Sequence, residues 1–303
     1  MMKREENREW KESGCWKYEE KENTISIIEY LGDEEVVRVP ETIDEKEIKE
    51  VGKYAFYRKN IKELSLPKTV DTIGSHMCYE CRQLEKIEIS DYLVEIGDGA
   101  FKNCRQLSEI EIFIYQGRYT CLKNLLSEMN QQVLCKFHEK EQYMELVFPA
   151  YIHNYQENTM ARIINQETYG AGAHYREAIT KEKILYKEYD SRFYLAENVE
   201  QIEALYEIAL ARLRYPVELL EKDKERYLSF LKKNWLSLLQ WVLKAQRSEV
   251  LLWLGNYEEI KEEQMKELLN LLQQEEEIEL LSQLMEVNQK RFSSSNKKKS
   301  FVL

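Results

Sequence analysis

The 303-residue chain is poor in the two residues that punctuate structure: it has four prolines and ten glycines. Both are unevenly spread. Seven glycines lie in the first 117 residues, and only Gly255 lies beyond residue 172. A chain that is turn-rich at one end and nearly glycine-free at the other joins two kinds of structure. Long apolar runs are missing too. The longest, Val250–Leu254, has five residues, against the ~20 that a membrane-spanning helix needs. The first sixteen residues are rich in Lys, Arg and Glu and hold no apolar core, which does not fit a signal peptide. Basic charge is also short, with 44 Lys and Arg against 55 Asp and Glu and a net charge of −11. That balance argues against a nucleic-acid partner, whose phosphates are held by a basic face. A cytoplasmic protein with no membrane partner is expected, and its six cysteines (15, 78, 81, 104, 121 and 135) are then reduced thiols. With 43% hydrophobic residues, the chain has material for a packed core.

What is present first is a repeat. Val51-Gly52-x-x-Ala55-Phe56 is followed by Ile73-Gly74-x-x-Met77-Cys78 and Ile96-Gly97-x-x-Ala100-Phe101. Each unit closes on a short alternating segment: Leu64-Ser65-Leu66, Ile87-Glu88-Ile89 and Ile110-Glu111-Ile112, each 23 residues after the last. Alternation sends the apolar residues to one face and the polar ones to the other. A single strand of this length cannot bury its apolar face, but stacked copies make a continuous core. The glycine before each Ala-Phe pair is read as permitting a turn.

These units resemble the BspA-type (Treponema-type) leucine-rich repeat, whose pattern is roughly I-G-x-x-A-F-x-x-C-x-x-L-x-x-I-x-I-P. Ala100-Phe101-Lys102-Asn103-Cys104-Arg105-Gln106-Leu107-Ser108-Glu109-Ile110-Glu111-Ile112 follows it closely, and the resemblance covers about residues 17–113. Met77-Cys78 departs from Ala-Phe, and only Pro67 keeps the proline after the strand. Many such relatives are secreted or surface proteins, an inference that the charged start of this chain does not support. The repeat also explains Cys78-x-x-Cys81 without a metal. Cys81 and Cys104 share one repeat position and Cys78 takes the phenylalanine position, so buried packing outweighs half of a zinc site.

The outward strand positions are the candidate interaction surface: Glu63, Ser65, Lys86, Glu88, Glu109 and Glu111. They predict a polar, largely acidic face suited to a protein partner, one with a basic surface. A merely solvated face is the competing reading.

Beyond the repeat, Tyr119–Met129 has helical spacing, and Val133-x-Cys135-x-Phe137 and Met144-x-Leu146-x-Phe148 alternate like two strands. This segment is placed to cap the solenoid. Next, Gly170-Ala171-Gly172-Ala173-His174-Tyr175-Arg176 offers a candidate anion or ligand turn: glycines expose backbone amides, and His174 and Arg176 add donors. A helix-to-helix turn is the favoured reading, because the third glycine of a dinucleotide fingerprint and its leading strand are missing. His153, Asp190 and Arg192 are further polar residues near it in sequence. No catalytic motif, metal set or cofactor motif is recognisable.

From about residue 158 the apolar residues recur at helical spacing. A second repeat, of offset 30, pairs Leu239-x-Trp241-Val242 with Leu269-x-Leu271-Leu272, and Glu249-Val250-Leu251-x-x-Leu254 with Glu279-Leu280-Leu281-x-x-Leu284. Helix pairs of this length resemble ankyrin or HEAT repeats, though the ankyrin T-P-L-H signature is absent. An irregular bundle is the alternative.

The expected fold class is therefore α+β: a short leucine-rich-repeat β-solenoid followed by an all-α helical-repeat domain. The expected divisions are repeats over 1–113, a capping connector over 114–157, helical repeats over 158–292 and a disordered tail over 293–303. The expected function is a non-enzymatic protein-interaction scaffold. The alternative is an enzyme or small-ligand binder using the Gly170–Arg176 turn.

Overall fold

Glycine placement in the first third serves close stacking of chain on chain. The computed structural model describes residues 10–158 and 163–296, with side chains between 155 and 166 and from 293 onward left aside. It divides into two compact units, Met1–Leu219 and Leu220–Leu303.

In the first unit, strands alternate between two sheets. One runs β1 (Trp10–Ser13), β2 (Trp16–Lys21), β3 (Thr24–Tyr30), β6 (Lys46–Val51), β8 (Thr72–Ile73), β10 (Glu95–Ile96), with β5 (Thr42–Ile43) paired to β6. The other runs β4 (Val36–Arg38), β7 (Glu63–Ser65), β9 (Lys86–Ser90), β11 (Glu109–Ile114), β12 (Val133–Glu139), β13 (Gln142–Phe148). From β4 to β12 the pairing is parallel and in register, so Val37, Leu64, Ile87, Ile110 and Cys135 form one inward row. All five are buried. Such a row exists because the alternation has period two and the repeat returns each strand in the same phase.

Between the sheets, the turn segments stack as a third ladder. The N–H groups of Phe56 and Arg58 donate to the carbonyls of Met77 and Tyr79 at 2.9 and 3.0 Å. Those of His76, Cys78 and Glu80 donate to Asp98, Ala100 and Lys102 at 3.1, 2.8 and 3.1 Å. The repeated cysteine joins in: Cys81 Sγ donates to the Phe56 carbonyl at 2.9 Å, and Cys104 Sγ to the Cys78 carbonyl at 3.0 Å. Burial pushes the Cys78 thiol well up from its ordinary value, which keeps it protonated.

The repeated glycine needs a different reason from the one its turn position implies. Gly52, Gly74 and Gly97 are not among the residues of positive φ. A Cβ on Gly97 would instead lie 2.1 Å from the Ser75 backbone nitrogen, and one on Gly74 would lie 2.4 Å from that of Lys53. The glycines permit contact between successive repeats.

Beyond β11, helix α1 (Thr120–Glu128) replaces the turn segment, β12 adds one more parallel rung, and β13 returns antiparallel. Tyr189 closes the exposed edge of β13. Its hydroxyl accepts from the Val147 N–H at 3.0 Å and donates to the Val147 carbonyl at 2.6 Å, which blocks further strand pairing there. The chain then forms a hairpin of β14 (Ile152–Asn158) and β15 (Ile163–Tyr169), followed by α2 (Gly172–Glu177), α3 (Tyr186–Ser191), α4 (Phe193–Val199) and α5 (Ile202–Arg214). The boundary expected at 157/158 thus falls in a hairpin. Ile163, Ile164 and Thr168 are β-branched, which favours strand over helix. Helix α5 packs on β13, so the helices up to Arg214 belong to the first unit.

The second unit holds α6 (Glu221–Lys233), α7 (Trp235–Lys244), α8 (Ser248–Asn256), α9 (Glu262–Gln274) and α10 (Ile278–Asn296). The 30-residue offset is visible in its geometry. Gln246 and Glu276 both take left-handed φ values, 55° and 59°. The Arg247 N–H then donates to the Val242 carbonyl at 3.2 Å, and the Glu277 N–H to that of Leu272 at 3.0 Å. Both are the long closing bond of a Schellman turn. Trp235 and Met265, Leu238 and Leu268, Val242 and Leu272, and Leu254 and Leu284 are buried at matching positions. Ser248 does not cap α8; Arg247 holds the cap position, without a side-chain bond. Helix α10 runs through Asn296, into the tail expected to be disordered, while residues 297–303 lie outside the described residues.

The stacking contact gives a first prediction. Gly97→Ala meets backbone rather than a movable side chain, and forced overpacking costs about 1–3 kcal/mol. Urea unfolding of the full chain is expected to show at least that loss. Wild-type stability in the variant would remove close stacking as the reason for the glycine.

Candidate functional site

The outward strand face is built by the same register that builds the core. One row reads Val36, Glu63, Lys86, Glu109 and Leu134; the next reads Arg38, Ser65, Glu88, Glu111, Lys136 and Glu145. The six candidate residues therefore do share a face. Its acidity is offset at Glu109 and Glu111, where the expectation had a largely acidic face. Lys86 Nζ lies 3.3 Å from Glu109 and also pairs with Glu111. Lys136 reaches Glu109 at 2.7 Å, and His138 Nε2 reaches Glu111 at 2.6 Å. Ser65 donates to Glu88 at 3.1 Å. Lys136 and His138 come from the capping strand, which the repeat pattern does not cover.

Burial works against the charged form of Glu111, but hydrogen bonds from Lys86 and His138 outweigh it and hold the carboxyl below its ordinary value. The ion-pair network is thus a preference for ionised Glu111 in the folded state.

Beside this network runs a row of aromatic side chains that reading the repeat strands alone misses. Phe113 stacks on His138, with centroids 4.5 Å apart and planes at 9°. His138 meets Tyr143 at 5.1 Å, and Tyr143 meets Tyr215 at 5.0 Å. On the other side Tyr115 contacts Phe113 at 6.5 Å and Tyr92 at 5.8 Å. Tyr115 is 57% exposed and Tyr92 37%. The alternation Glu109, Glu111, Phe113, Tyr115 carries the signal for part of this row; Tyr143 and Tyr215 arrive through tertiary structure.

The Gly170–Arg176 turn has a different character. Arg176 is buried and stacks over Tyr151. Its guanidinium donates to the carbonyls of Pro149 at 2.6 Å, Gly172 at 2.9 Å and Gln131 at 2.6 Å. Burial lowers its pKa to about 10. A Cβ on Gly172 would lie 2.1 Å from the Pro149 oxygen, and Gly170 has a φ of +87°. The glycines and Arg176 therefore fasten this turn to the end of β13. His174 is exposed and faces Glu177 at 3.7 Å.

The neighbours suggested by sequence do not gather there. Asp190 is buried in a two-point pair with Arg212, at 2.7 and 2.9 Å. Arg192 lies near Glu177 and Glu188 at 3.5 and 3.9 Å, and His153 bonds Thr168 at 2.8 Å. Among the described residues, no group of three or more His, Cys, Asp or Glu could hold a metal ion. No described helix is long and apolar enough to cross a membrane.

Comparison with known proteins bears on the solenoid. The family described as BspA type Leucine rich repeat region matches residues 42–133, in six copies. The match ends there, so it lends nothing to the ankyrin-like reading of the helices. Among solved structures, a leucine rich cell surface protein from Faecalibacterium prausnitzii A2-165 is 22% identical, over 37% of this chain and 38% of its own, with a TM-score of 0.31. A leucine-rich repeat protein from Bacteroides capillosus ATCC 29799 is 26% identical, over 34% and 81%, with a TM-score of 0.33. The leucine rich repeat protein of T. pallidum is 23% identical, over 33% and 71%, with a TM-score of 0.26. The chain thus spans well under half of the first of these. At such TM-scores the structural likenesses carry no argument. A search of curated proteins finds no match.

Two predictions test these roles. The preference for ionised Glu111 stabilises the fold above the ordinary carboxylate range and is lost as pH falls through its lowered folded-state value. Glu111→Gln is expected to cost about 1 kcal/mol near pH 7, the upper range for partly exposed ion pairs, and progressively less toward pH 3. A cost independent of pH would contradict the network. Arg176→Ala leaves three carbonyls without their donor and is expected to cost about 3 kcal/mol. A ligand-binding arginine would leave the stability of the free protein unchanged in the same urea titration.

Proposed function

Since residues 42–133 form a BspA-type leucine-rich repeat region, we propose that the protein is a scaffold that binds another protein through its outward strand face. Leucine-rich repeat proteins are in general protein-interaction modules. The observation that carries the reading is the aromatic row of exposed Tyr92 and Tyr115 and half-buried Phe113 beside an ordered ion-pair network. Tyrosines and other aromatic anchors supply much of the binding energy at interfaces, and the fixed charges set orientation. Among the described residues, Glu63 and Glu88 have no cation in the pairings of this face, so a partner with basic side chains is preferred. The helical unit is a further contact surface in the same reading.

The reading keeps a cytoplasmic, non-catalytic protein with neither nucleic acid nor membrane as partner. All six cysteines are free thiols, which suits a reducing compartment. The net charge of −11 disfavours phosphate backbones. The alternative of an enzyme or small-ligand site at Gly170–Arg176 is set aside, because its guanidinium is committed to backbone carbonyls.

The test is affinity capture from the native host with the wild type and with Phe113→Ser combined with Glu88→Lys. Both positions lie on the outer face, so melting temperature checks that the variant folds. Loss of one captured protein by more than tenfold is expected. Equal recovery by a folded variant removes the strand face from the function.

A further inference from the structure

Each repeat hands its turn N–H groups to the next. His76, Cys78 and Glu80 donate to Asp98, Ala100 and Lys102. Their counterparts one repeat later are Gly99, Phe101 and Asn103, and no further turn follows because α1 stands there. The capping segment serves both ends of this last rung. Glu128, on α1, accepts from the Gly99 N–H at 3.3 Å. Gln131 donates to the carbonyls of Cys104 and Leu107 at 3.4 and 3.1 Å. Between them, the N–H groups of Phe101 and Asn103 have no hydrogen-bond partner among the described residues. Phe101 is buried and Asn103 exposed, and backbone donors are strong groups that water or a bound acceptor takes up.

The residues that carry these two donors line a cavity of about 480 Å³ between the turn 98–105 and the end of α1. That lies within the roughly 300–1,000 Å³ of ligand pockets. The hollow has a cause in sequence. At the position of Gly99 the earlier repeats carry His76 and Tyr54; at that of Lys102 they carry Tyr79 and Tyr57. Those rings pack into a ridge, with Tyr57 stacked on Tyr79 at 6.0 Å and His76 against Tyr79 at 5.3 Å. The third repeat has no ring at either position, so the ridge ends in an opening. Lys102 and Arg105 are exposed at its lining. Asp98 and Glu128 also line it, but Glu128 is engaged with Gly99. Burial pushes the Glu128 carboxyl up from its ordinary value, as expected of an acceptor partly shielded from water.

We propose that this cavity binds an acidic peptide segment of a partner protein. Carbonyls of alternate residues in that segment accept from the Phe101 and Asn103 N–H groups, and its carboxylate side chain lies by Lys102 and Arg105. The chemistry follows from what the stack already uses. Each rung accepts through alternate carbonyls, as Ala100 and Lys102 do, and main-chain pairing of this sort is a recurring mode of peptide recognition. Lys102 and Arg105, both exposed, favour a carboxylate over an ammonium side chain on their side of the lining, with Glu128 held by Gly99 and Asp98 at the opposite end of the turn segment. This site adds a contact separate from the strand face, so either can fail without the other.

The test is nuclear magnetic resonance on the full chain, with acetyl-Glu-Gly-Glu-Gly-Glu-amide as the probe. The Phe101 and Asn103 amide protons are expected to move downfield and saturate. Lys102→Glu with Arg105→Glu is expected to raise the Kd at least tenfold, and so is Asn130→Trp, which fills the hollow from an exposed position. An equal response to acetyl-Lys-Gly-Lys-Gly-Lys-amide overturns the charge selection. Saturation by acetate with equal affinity overturns the peptide. No shift with the acidic probe overturns the site. Hydrogen exchange of the free chain gives an independent check. Phe101 and Asn103 are expected to exchange at least tenfold faster than Cys78 and Glu80, and equal protection would show that their N–H groups already have partners.

Discussion

Close contact between successive turns is the constraint on which the first unit depends. The chain passes within a Cβ's reach of its previous repeat at Gly74 and Gly97. That closeness lets His76, Cys78 and Glu80 reach the next turn with ordinary hydrogen-bond lengths. It also fixes the strand phase, because a slip of one residue would carry Leu64, Ile87 and Ile110 to the solvent side. The core row and the outer charged row are therefore two results of one register. A polar network as ordered as Lys86, Glu109, Glu111, Lys136 and His138 is obtained with no elements of its own.

The same register explains what was legible in the sequence and what was not. The repeat strands, the buried role of Cys81 and Cys104 and the outward set Glu63, Ser65, Lys86, Glu88, Glu109 and Glu111 follow from period-two alternation within a 23-residue unit. The pairing of those charges does not, because Lys136 and His138 sit on a strand outside the repeat. The glycine position was legible, but its reason was not, since close approach needs the neighbouring chain. Arg176 looked like a donor for a ligand because spacing alone does not reveal that Pro149, Gly172 and Gln131 turn their carbonyls toward it. The β14–β15 hairpin was misread as the start of the helices because the helical period further along was extended back across it.

The helical unit shows the opposite balance. Its 30-residue offset is faint in residue identity, because Trp241 matches Leu271 and Gly255 matches Met285. The backbone records it more clearly, in Gln246 and Glu276, which share a left-handed conformation and the same closing bond. Neither residue is glycine, and each bears a cost of about 1 kcal/mol for that conformation. Side chains on such a turn are free to vary while the geometry stays. Helix pairs therefore repeat in shape with less repetition of sequence than stacked strands, whose every inward residue faces a counterpart one rung away.

A stacked fold must also end, and its two ladders end differently. On the strand side β13 reverses direction, and the Tyr189 hydroxyl occupies both hydrogen-bonding groups of Val147. On the turn side a helix cannot imitate a rung, because its backbone donors and acceptors point along its own axis. Side chains must substitute, and Glu128 and Gln131 reach only the outer positions. The unused donors at Phe101 and Asn103 are thus a consequence of capping a stack of turns with a helix. The replacement of aromatic residues by Gly99 and Lys102 leaves that particular gap open to solvent instead of covering it with a ring.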